Sequence, residues 1–307
     1  MTAPVNVMAH LPVTQLESWY RLGAGFVPES RDVYFNTTDS DGIRIVAGEP
    51  DGWEGVEFIL PLDTVGGKDG GHVGPQSVGP KVLYVQGMAV APDARLLRLL
   101  IARIRSLLGP RRAVVWEQHD YGAAERLGLV CRSEGDFRAT PVQGNMNGGV
   151  ATRITFTLVA ASPPWKFTVG NPDVACAGLP TGDIAGRSYD KDYDKDYGGI
   201  FNPGGELQAE NRGDLEAWPV FEITGPVDHP VITNDTTGRE FLISGSIPAG
   251  ETVTVDARTG VVTPGGYRVI GRPWSLAPGD NTVRWRATFG SFDPDALLCL
   301  SWRSTSS

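Results

Sequence analysis

Alternation with a period of two constrains this chain more than any other sequence feature. Val283–Phe289 places Val283, Trp285, Ala287 and Phe289 on one side and Arg284, Arg286 and Thr288 on the other. Successive side chains of a strand point to opposite faces, so this spacing gives a strand with one apolar and one polar face. Thr152–Leu158 repeats it, with Ile154, Phe156 and Leu158 against Arg153, Thr155 and Thr157. Thr252–Asp256 does so more briefly through Val253 and Val255. Antiparallel sheets with one solvated face carry this signature. Val114–Glu117 and Leu297–Trp302 are more continuously apolar and are expected to be covered on both faces. The 39 glycines and 23 prolines show no collagen-like repeat and supply the turns that many short strands need. The expected fold class is mainly β.

Asp93–Leu108 is the one convincing long helix. At about 100° per residue, Leu96, Leu97, Leu100, Ile101, Ile104, Leu107 and Leu108 share an arc of roughly 140°. Arg95, Arg98, Arg103 and Arg105 lie opposite, and Leu99 alone interrupts the pattern. Asp93 is the expected N-cap and Gly109-Pro110 the stop. Such a helix packs its apolar face on a sheet and leaves its arginines in water.

A chain of 307 residues can bury two domain cores. Hydrophobic residues make up 41% and charged residues 21%, which excludes wholesale disorder. Lys+Arg total 27 against 36 Asp+Glu, a net charge of −9. Gripping nucleic acid needs a basic face, so no sequence-specific nucleic-acid binding is expected. Cys131, Cys176 and Cys299 are scattered and odd in number, with no C-x-x-C pair. Neither a disulfide framework nor a zinc site is indicated. Each cysteine is expected to be a small, partly buried apolar residue, compatible with folding in a reducing cytosol. Met1–Tyr20 lacks a charged n-region and a continuous apolar core, so no secretory signal is expected. The longest apolar stretch is broken by arginines, which argues against membrane insertion. Release from a cell would then be by lysis.

Two stretches are irregular. Leu62–Pro80 is glycine-rich and expected to be a long loop between strands, of a length that is usually functional or disordered. Asn171–Asn202 is aperiodic and holds the one internal repeat, Tyr189–Asp192 followed by Tyr193–Asp196. A domain boundary is expected just after Ala160–Pro164.

The motifs that could carry chemistry are weak. Asp190, Asp192 and Asp194 open like a calcium loop, but Lys195 stands where glycine is needed and Phe201 where a bidentate glutamate is needed. Arg212-Gly213-Asp214 is an RGD tripeptide whose glycine the following turn already explains. His10, His72, His119 and His229 lie in no base motif. Carboxylate pairs such as Glu54 and Glu57, or Asp293 and Asp295, are what any acidic β-protein offers. Neither catalysis, a metal nor a cofactor is expected.

Three pieces of sequence resemble one family, the siphophage distal tail proteins. Phe156–Trp165 resembles the end of that family's N-terminal domain, with Ser162 in place of the usual aspartate. Asn211–Pro226 resembles its Asn-x-Gly-Asp…Trp-Pro…Ile-x-Gly-Pro opening, through Asn211, Gly213, Trp218, Pro219, Gly225 and Pro226. Downstream, Ile232–Gly238, Ala249–Asp256 with its terminal Asp256, and Leu276–Asn281 resemble the family's next turns and strands. The resemblance covers roughly 150–307 well; over 1–150 it rests on layout.

The resemblance implies a ring-forming N-terminal β-domain over 1–162, a split barrel or sandwich with the packed helix 93–108. It implies a galectin-like β-sandwich over 163–307, with an irregular lead-in at 171–202. The implied role is a tail-tip hub in the virion, assembled in the host cytoplasm. A homo-hexameric ring would join the tail tube protein to a tail-associated or tail-fibre protein around a DNA channel, its wall partly lined by the chain's negative charge. The 62–80 stretch would be an assembly arm, with Lys68, Asp69, His72 and Gln76 as its contact residues. The family-motif residues would be structural. The competing reading is a carbohydrate-binding module for host-surface glycans, since the implied sandwich is lectin-like.

Overall fold

A computed structural model describes residues 18–26, 28–55, 57–64, 71–75, 77–119, 125–146, 149–160, 165–179, 205–287 and 295–307. The chain divides into two units, Met1–Asn171 with Ser307, and Pro172–Ser306. Strands dominate both, and the only helix among the described residues is in the first.

The first unit begins with β1 (Trp19–Gly23), β2 (Val33–Phe35), β3 (Arg44–Ala47) and β4 (Phe58–Ile59). Next come β5 (Leu62–Thr64), β6 (Gly71–Val73), β7 (Ser77–Val78) and β8 (Lys81–Ala91). The helix α1 (Ala94–Leu107) precedes β9 (Val114–His119), β10 (Leu127–Met146), β11 (Gly149–Ala160) and β12 (Lys166–Thr168). The main sheet runs β2-β1-β9-β10-β11-β8-β3, antiparallel throughout, with β12 also beside β10. Its two ends meet: Asn36 N–H donates to Ile45 at 2.6 Å, and the Asn36 side chain exchanges hydrogen bonds with the Ala47 backbone at 2.8 and 2.9 Å. Asn36 holds a left-handed backbone (φ 60) that asparagine tolerates better than most residues. The sheet thereby curls around one core, in which Phe35, Trp116 and Phe156 pack with ring centroids 5.1 to 6.5 Å apart.

Local sequence explains the elements. Asp93 caps α1, its carboxylate accepting from the Arg95 and Leu96 backbone N–H groups at 2.7 and 2.8 Å. Leu97, Leu100, Ile104 and Leu107 are buried, and the out-of-phase Leu99 is 56% exposed. In β11 the predicted Ile154, Phe156 and Leu158 all face the core. In β9, Val114–Gln118 are buried on both faces, as their continuous apolar run predicts.

The second unit opens with β13 (Asp173–Gly178), β14 (Gly205–Asn211), β15 (Val220–Thr224), β16 (Val227–Asp228) and β17 (Pro230–Asn234). It continues with β18 (Arg239–Ser244), β19 (Ser246–Ile247), β20 (Thr252–Asp256) and β21 (Val262–Thr263). It closes with β22 (Arg268–Gly271), β23 (Gly279–Ala287), β24 (Leu297–Trp302) and β25 (Thr305–Ser306). One five-stranded sheet runs β13-β24-β15-β20-β21 and the other β14-β23-β17-β18-β22. Alternate residues of both enclose one core: Phe221, Ile223, Val253, Val255, Leu298 and Leu300 from the first, and Ile232, Phe241, Ile243, Val283 and Trp285 from the second. This is a β-sandwich. Val283, Trp285 and Ala287 point inward as predicted, whereas Thr288 and Phe289 lie outside the described residues.

Four expectations need correcting. Leu62–Pro80 is not a structureless loop, since β5 pairs with β6 and β7 pairs back to β4. Short strands split by Pro61, Gly74 and Pro75 leave no periodic run to recognise. Asn171–Asn202 contains a regular strand, β13, at its start. Leu297–Trp302 is not covered on both faces: Leu298, Leu300 and Trp302 are buried, while Leu297 is exposed and Cys299 and Ser301 half-buried.

The cysteines are the fourth correction. Cys176 on β13 lies directly opposite Cys299 on β24, and the two form a disulfide across 123 residues of chain. Register, which is a property of the sheet and not of sequence spacing, creates this pairing. The third cysteine, Cys131, is buried, and burial pushes its thiol up to about 12. A raised thiol pKa stabilises the fold below the ordinary thiol range, and this contribution is lost as pH climbs toward 12. Titration with a thiol reagent is expected to find no reactive group in the native protein, one after unfolding without reductant, and three after unfolding with reduction. A rapidly reacting native thiol would contradict the assignment.

Candidate functional site

Among the described residues, the chemistry-bearing groups do not converge into a catalytic centre. No group of three or more His, Cys, Asp or Glu is placed to hold a metal. The Asp190–Asp194 run, His10 and Asp293 lie outside the described residues. His119 stacks on Trp19 with ring centroids 5.3 Å apart, and His229 Nδ1 lies 2.8 Å from Asp228. Glu54 is engaged with Lys166 at 3.2 Å.

The first unit instead carries a small ribbon of short strands between Trp53 and β8. Among the described residues, β4 pairs with β7 and β5 with β6, Phe58 opposite Val78 and Leu62 opposite Val73, and these four strands pair only with each other. Gly79 N–H to Glu57 O and Gly74 N–H to Pro61 O, both 2.8 Å, extend the pairing. Phe58 is 62% exposed, and Ile59, Leu60, Val73 and Val78 are exposed as well. Exposed apolar side chains in this density are uncommon on a free protein surface. Of the predicted contact residues, His72 lies on β6 opposite Asp63 in register. Lys68, Asp69 and Gln76 lie outside the described residues.

Both ends of the ribbon join packed residues. Trp53 is buried, and Lys81, also buried, donates its Nζ to the Trp53 carbonyl at 2.8 Å. The Lys166 ammonium sits 4.9 Å from the Trp53 ring centroid, a cation–π contact. Desolvation, and then the neighbouring Lys166 charge, lower the Lys81 pKa to about 8. Gly52 has φ +94, and a Cβ there would lie 2.0 Å from the Val82 carbonyl oxygen, so only glycine lets the chain turn so close to β8.

A buried charge network fixes the sheet nearby. Arg21 on β1 is fully buried between Asp32 and Glu117, pairs with both, and donates to the Gly25 carbonyl at 2.8 Å. Arg126 reaches the other oxygen of Glu117 at 3.2 Å. Burial pulls the Arg21 pKa down, but the two carboxylates outweigh it and hold the guanidinium above its ordinary value. Sequence reasoning missed this network; a lone arginine in the otherwise apolar face of Trp19–Gly23 was the available signal.

In the second unit the family-motif residues are brought to one end of the sandwich and to its turns. Asn211 is fully buried; its Nδ2 donates to the Leu215 carbonyl at 2.7 Å and its Oδ1 accepts from Gly213 N–H at 3.2 Å. A Cβ on Gly213 would fall 1.9 Å from the Thr305 carbonyl oxygen, which gives the glycine of the RGD tripeptide a packing role. One guanidinium nitrogen of Arg212 in that tripeptide donates to both carboxylate oxygens of Asp173, at 2.9 and 3.1 Å. A Cβ on Gly225 would lie 2.2 Å from the Ile247 carbonyl oxygen, and the Gly225–Pro226 bond is cis. Pro219 O accepts from Ala257 N–H at 3.1 Å, and Asp256 Oδ1 accepts from Arg258 and Thr259 N–H at 2.9 and 3.0 Å, closing a turn. Trp218 is half-buried against the core.

Comparison with known proteins agrees with this arrangement. Residues 212–291 match the family described as siphovirus-type tail component, C-terminal domain. The crystal structure of the SPP1 Dit (gp 19.1) protein, described as a paradigm of the hub adsorption apparatus in phages infecting Gram-positive bacteria, has a similar fold. It aligns at TM-score 0.51 and 13% identity, covering 85% of this chain and 93% of that one. A chain of the phage P2 baseplate in its activated conformation with Ca aligns at TM-score 0.45 and 12% identity, over 93% of this chain and 97% of that one. No curated protein sequence matches the chain. Residues 212–291 therefore match the C-terminal domain of a siphovirus-type tail component, and the chain shares the fold of the SPP1 Dit protein along most of its length.

Proposed function

We propose that the protein assembles as a homo-hexameric ring that joins the tail tube protein above to a tail-associated or tail-fibre protein below. DNA would pass through the central channel. The observation that carries this reading is the match to a tail-component domain at 212–291, in a chain whose first unit bears a ribbon with exposed apolar side chains. Head-to-tail contacts that close on themselves let each copy use one surface to hold its neighbour and another to be held. A two-stranded ribbon is marginal by itself, and the 57–79 arm gains a third partner when it lies against the next copy. The second unit is then the galectin-like sandwich. Assembly takes place in the host cytoplasm, before the tail becomes part of the virion.

Replacing 62–77 by a short glycine–serine link is expected to leave the two folded units intact by circular dichroism. It is expected to abolish rings and infectious tails. Recovery of normal rings and full infectivity from the deletion variant would refute the role of the arm.

A further inference from the structure

A depression of about 550 Å³ opens on the second unit, lined by Glu216, Trp218, Arg239, Glu240, Arg272 and Pro273. We infer that it binds a neutral pyranose unit of a glycan, an activity separate from the hub role and independent of ring formation.

The chain delivers these residues to one place by sheet register. Phe241 on β18 pairs with Gly271 at the end of β22, so Glu240 and Arg272 leave the ladder side by side. Across from them, Ala217 bridges Leu276, which brings Glu216 and Trp218 to the same depression as Pro273. Trp274, the chain neighbour of Pro273, is buried in the core and its Nε1 donates to the Ile232 carbonyl at 3.3 Å. Pro273 is therefore anchored through its buried neighbour, and the depression is of a size that takes one or two sugar rings.

The hydrogen-bonding inventory suits vicinal hydroxyls, which donate and accept from neighbouring carbons. Arg239 and Arg272 are exposed and have no ion-pair partner among the described residues, so their guanidinium forks are free to donate. Glu216 accepts from Ser275 Oγ through one oxygen at 2.8 Å, leaving the other to accept from a ligand. Glu240 is held by Thr233 Oγ1 at 3.3 Å and by Arg286 at 3.9 Å, both through Oε2, which leaves Oε1 available. Trp218 adds an apolar surface for the C–H face of a ring. Two arginines and two glutamates balance, so a charged ligand meets no net field, and a polyhydroxylated neutral ring uses both kinds of group. This balance decides against an anionic sugar or a phosphate.

Saturation-transfer NMR on the full-length protein tests this with lactose, maltose and cellobiose as neutral probes and D-glucuronate and glycerol 3-phosphate as charged ones. Saturable binding of at least one disaccharide with a Kd of about 0.1–10 mM is expected, as is a loss of about tenfold or more in Arg239→Gln and in Arg272→Gln. Both positions are exposed, so both variants should keep the parent's unfolding temperature. Trp218→Phe, which retains packing, should weaken binding less than Trp218→Ala. The inference is overturned if none of the three disaccharides saturates, if both arginine variants bind as the parent does, or if only the charged probes bind. Ring formation is unaffected by any of these outcomes.

Discussion

Arg21→Ala is expected to destabilise the first unit by about 3–5 kcal/mol, enough to unfold it at physiological temperature. The substitution removes the counter-charge from two carboxylates that are both fully buried. Arg126 still reaches Glu117, so the larger penalty falls on Asp32, which keeps the Glu29 backbone N–H at 2.8 Å. Arg21→Lys is expected to rescue only part of the loss, because an ammonium cannot reproduce a fork that serves Glu117, Asp32 and the Gly25 carbonyl at once. The combined variant Arg21→Met, Asp32→Asn, Glu117→Gln should recover most of it, since no unpaired charge is then buried. Urea unfolding followed by tryptophan fluorescence measures this, Trp19, Trp53 and Trp116 reporting the first unit. A loss below about 1 kcal/mol in Arg21→Ala would show that the network contributes little.

Reduction of the Cys176–Cys299 disulfide carries the second large effect. It closes a loop that contains almost the whole sandwich, 123 residues apart in sequence. The chain-entropy model assigns such a closure about 5 kcal/mol. The strand it secures, β13, is an edge strand paired with β24 alone. Cys176→Ser with Cys299→Ser is therefore expected to lower the unfolding midpoint of the second unit by several kcal/mol and to free β13 first. The first unit should keep its own midpoint. Proteolysis near Gly178, followed by mass spectrometry with and without reductant, locates the loosened segment. Equal protection of β13 in both states would contradict the assignment.

Elements governed by local physics were legible in the sequence. The helix Ala94–Leu107 matches the 93–108 reading because the leucine spacing, the Asp93 cap and the Gly109-Pro110 stop all act within one segment. Thr252–Asp256 and the inward face of Val283–Ala287 were legible because a period of two states which face is buried. The motif glycines were legible as turn punctuation, yet their true constraint is a close approach by distant backbone: Thr305 against Gly213, and Ile247 against Gly225. What escaped depends on partners far along the chain. Arg21 meets Glu117 across 96 residues, and Cys176 meets Cys299 only through strand register. The ribbon escaped because its strands are two or three residues long, too short to show a period. The sugar-sized depression escaped for the same reason as the ion network: Trp218, Arg239 and Arg272 come from three separate segments.

The central claim is the proposal that this protein works as a closed hexameric hub. Light scattering coupled to size-exclusion chromatography, with class-averaged electron micrographs of the same peak, tests it most directly. The account predicts a species of six times the 32.9 kDa chain mass and six-fold rings with an open centre. A protein that stays strictly monomeric at high concentration, alone and with its tail tube protein, would contradict it.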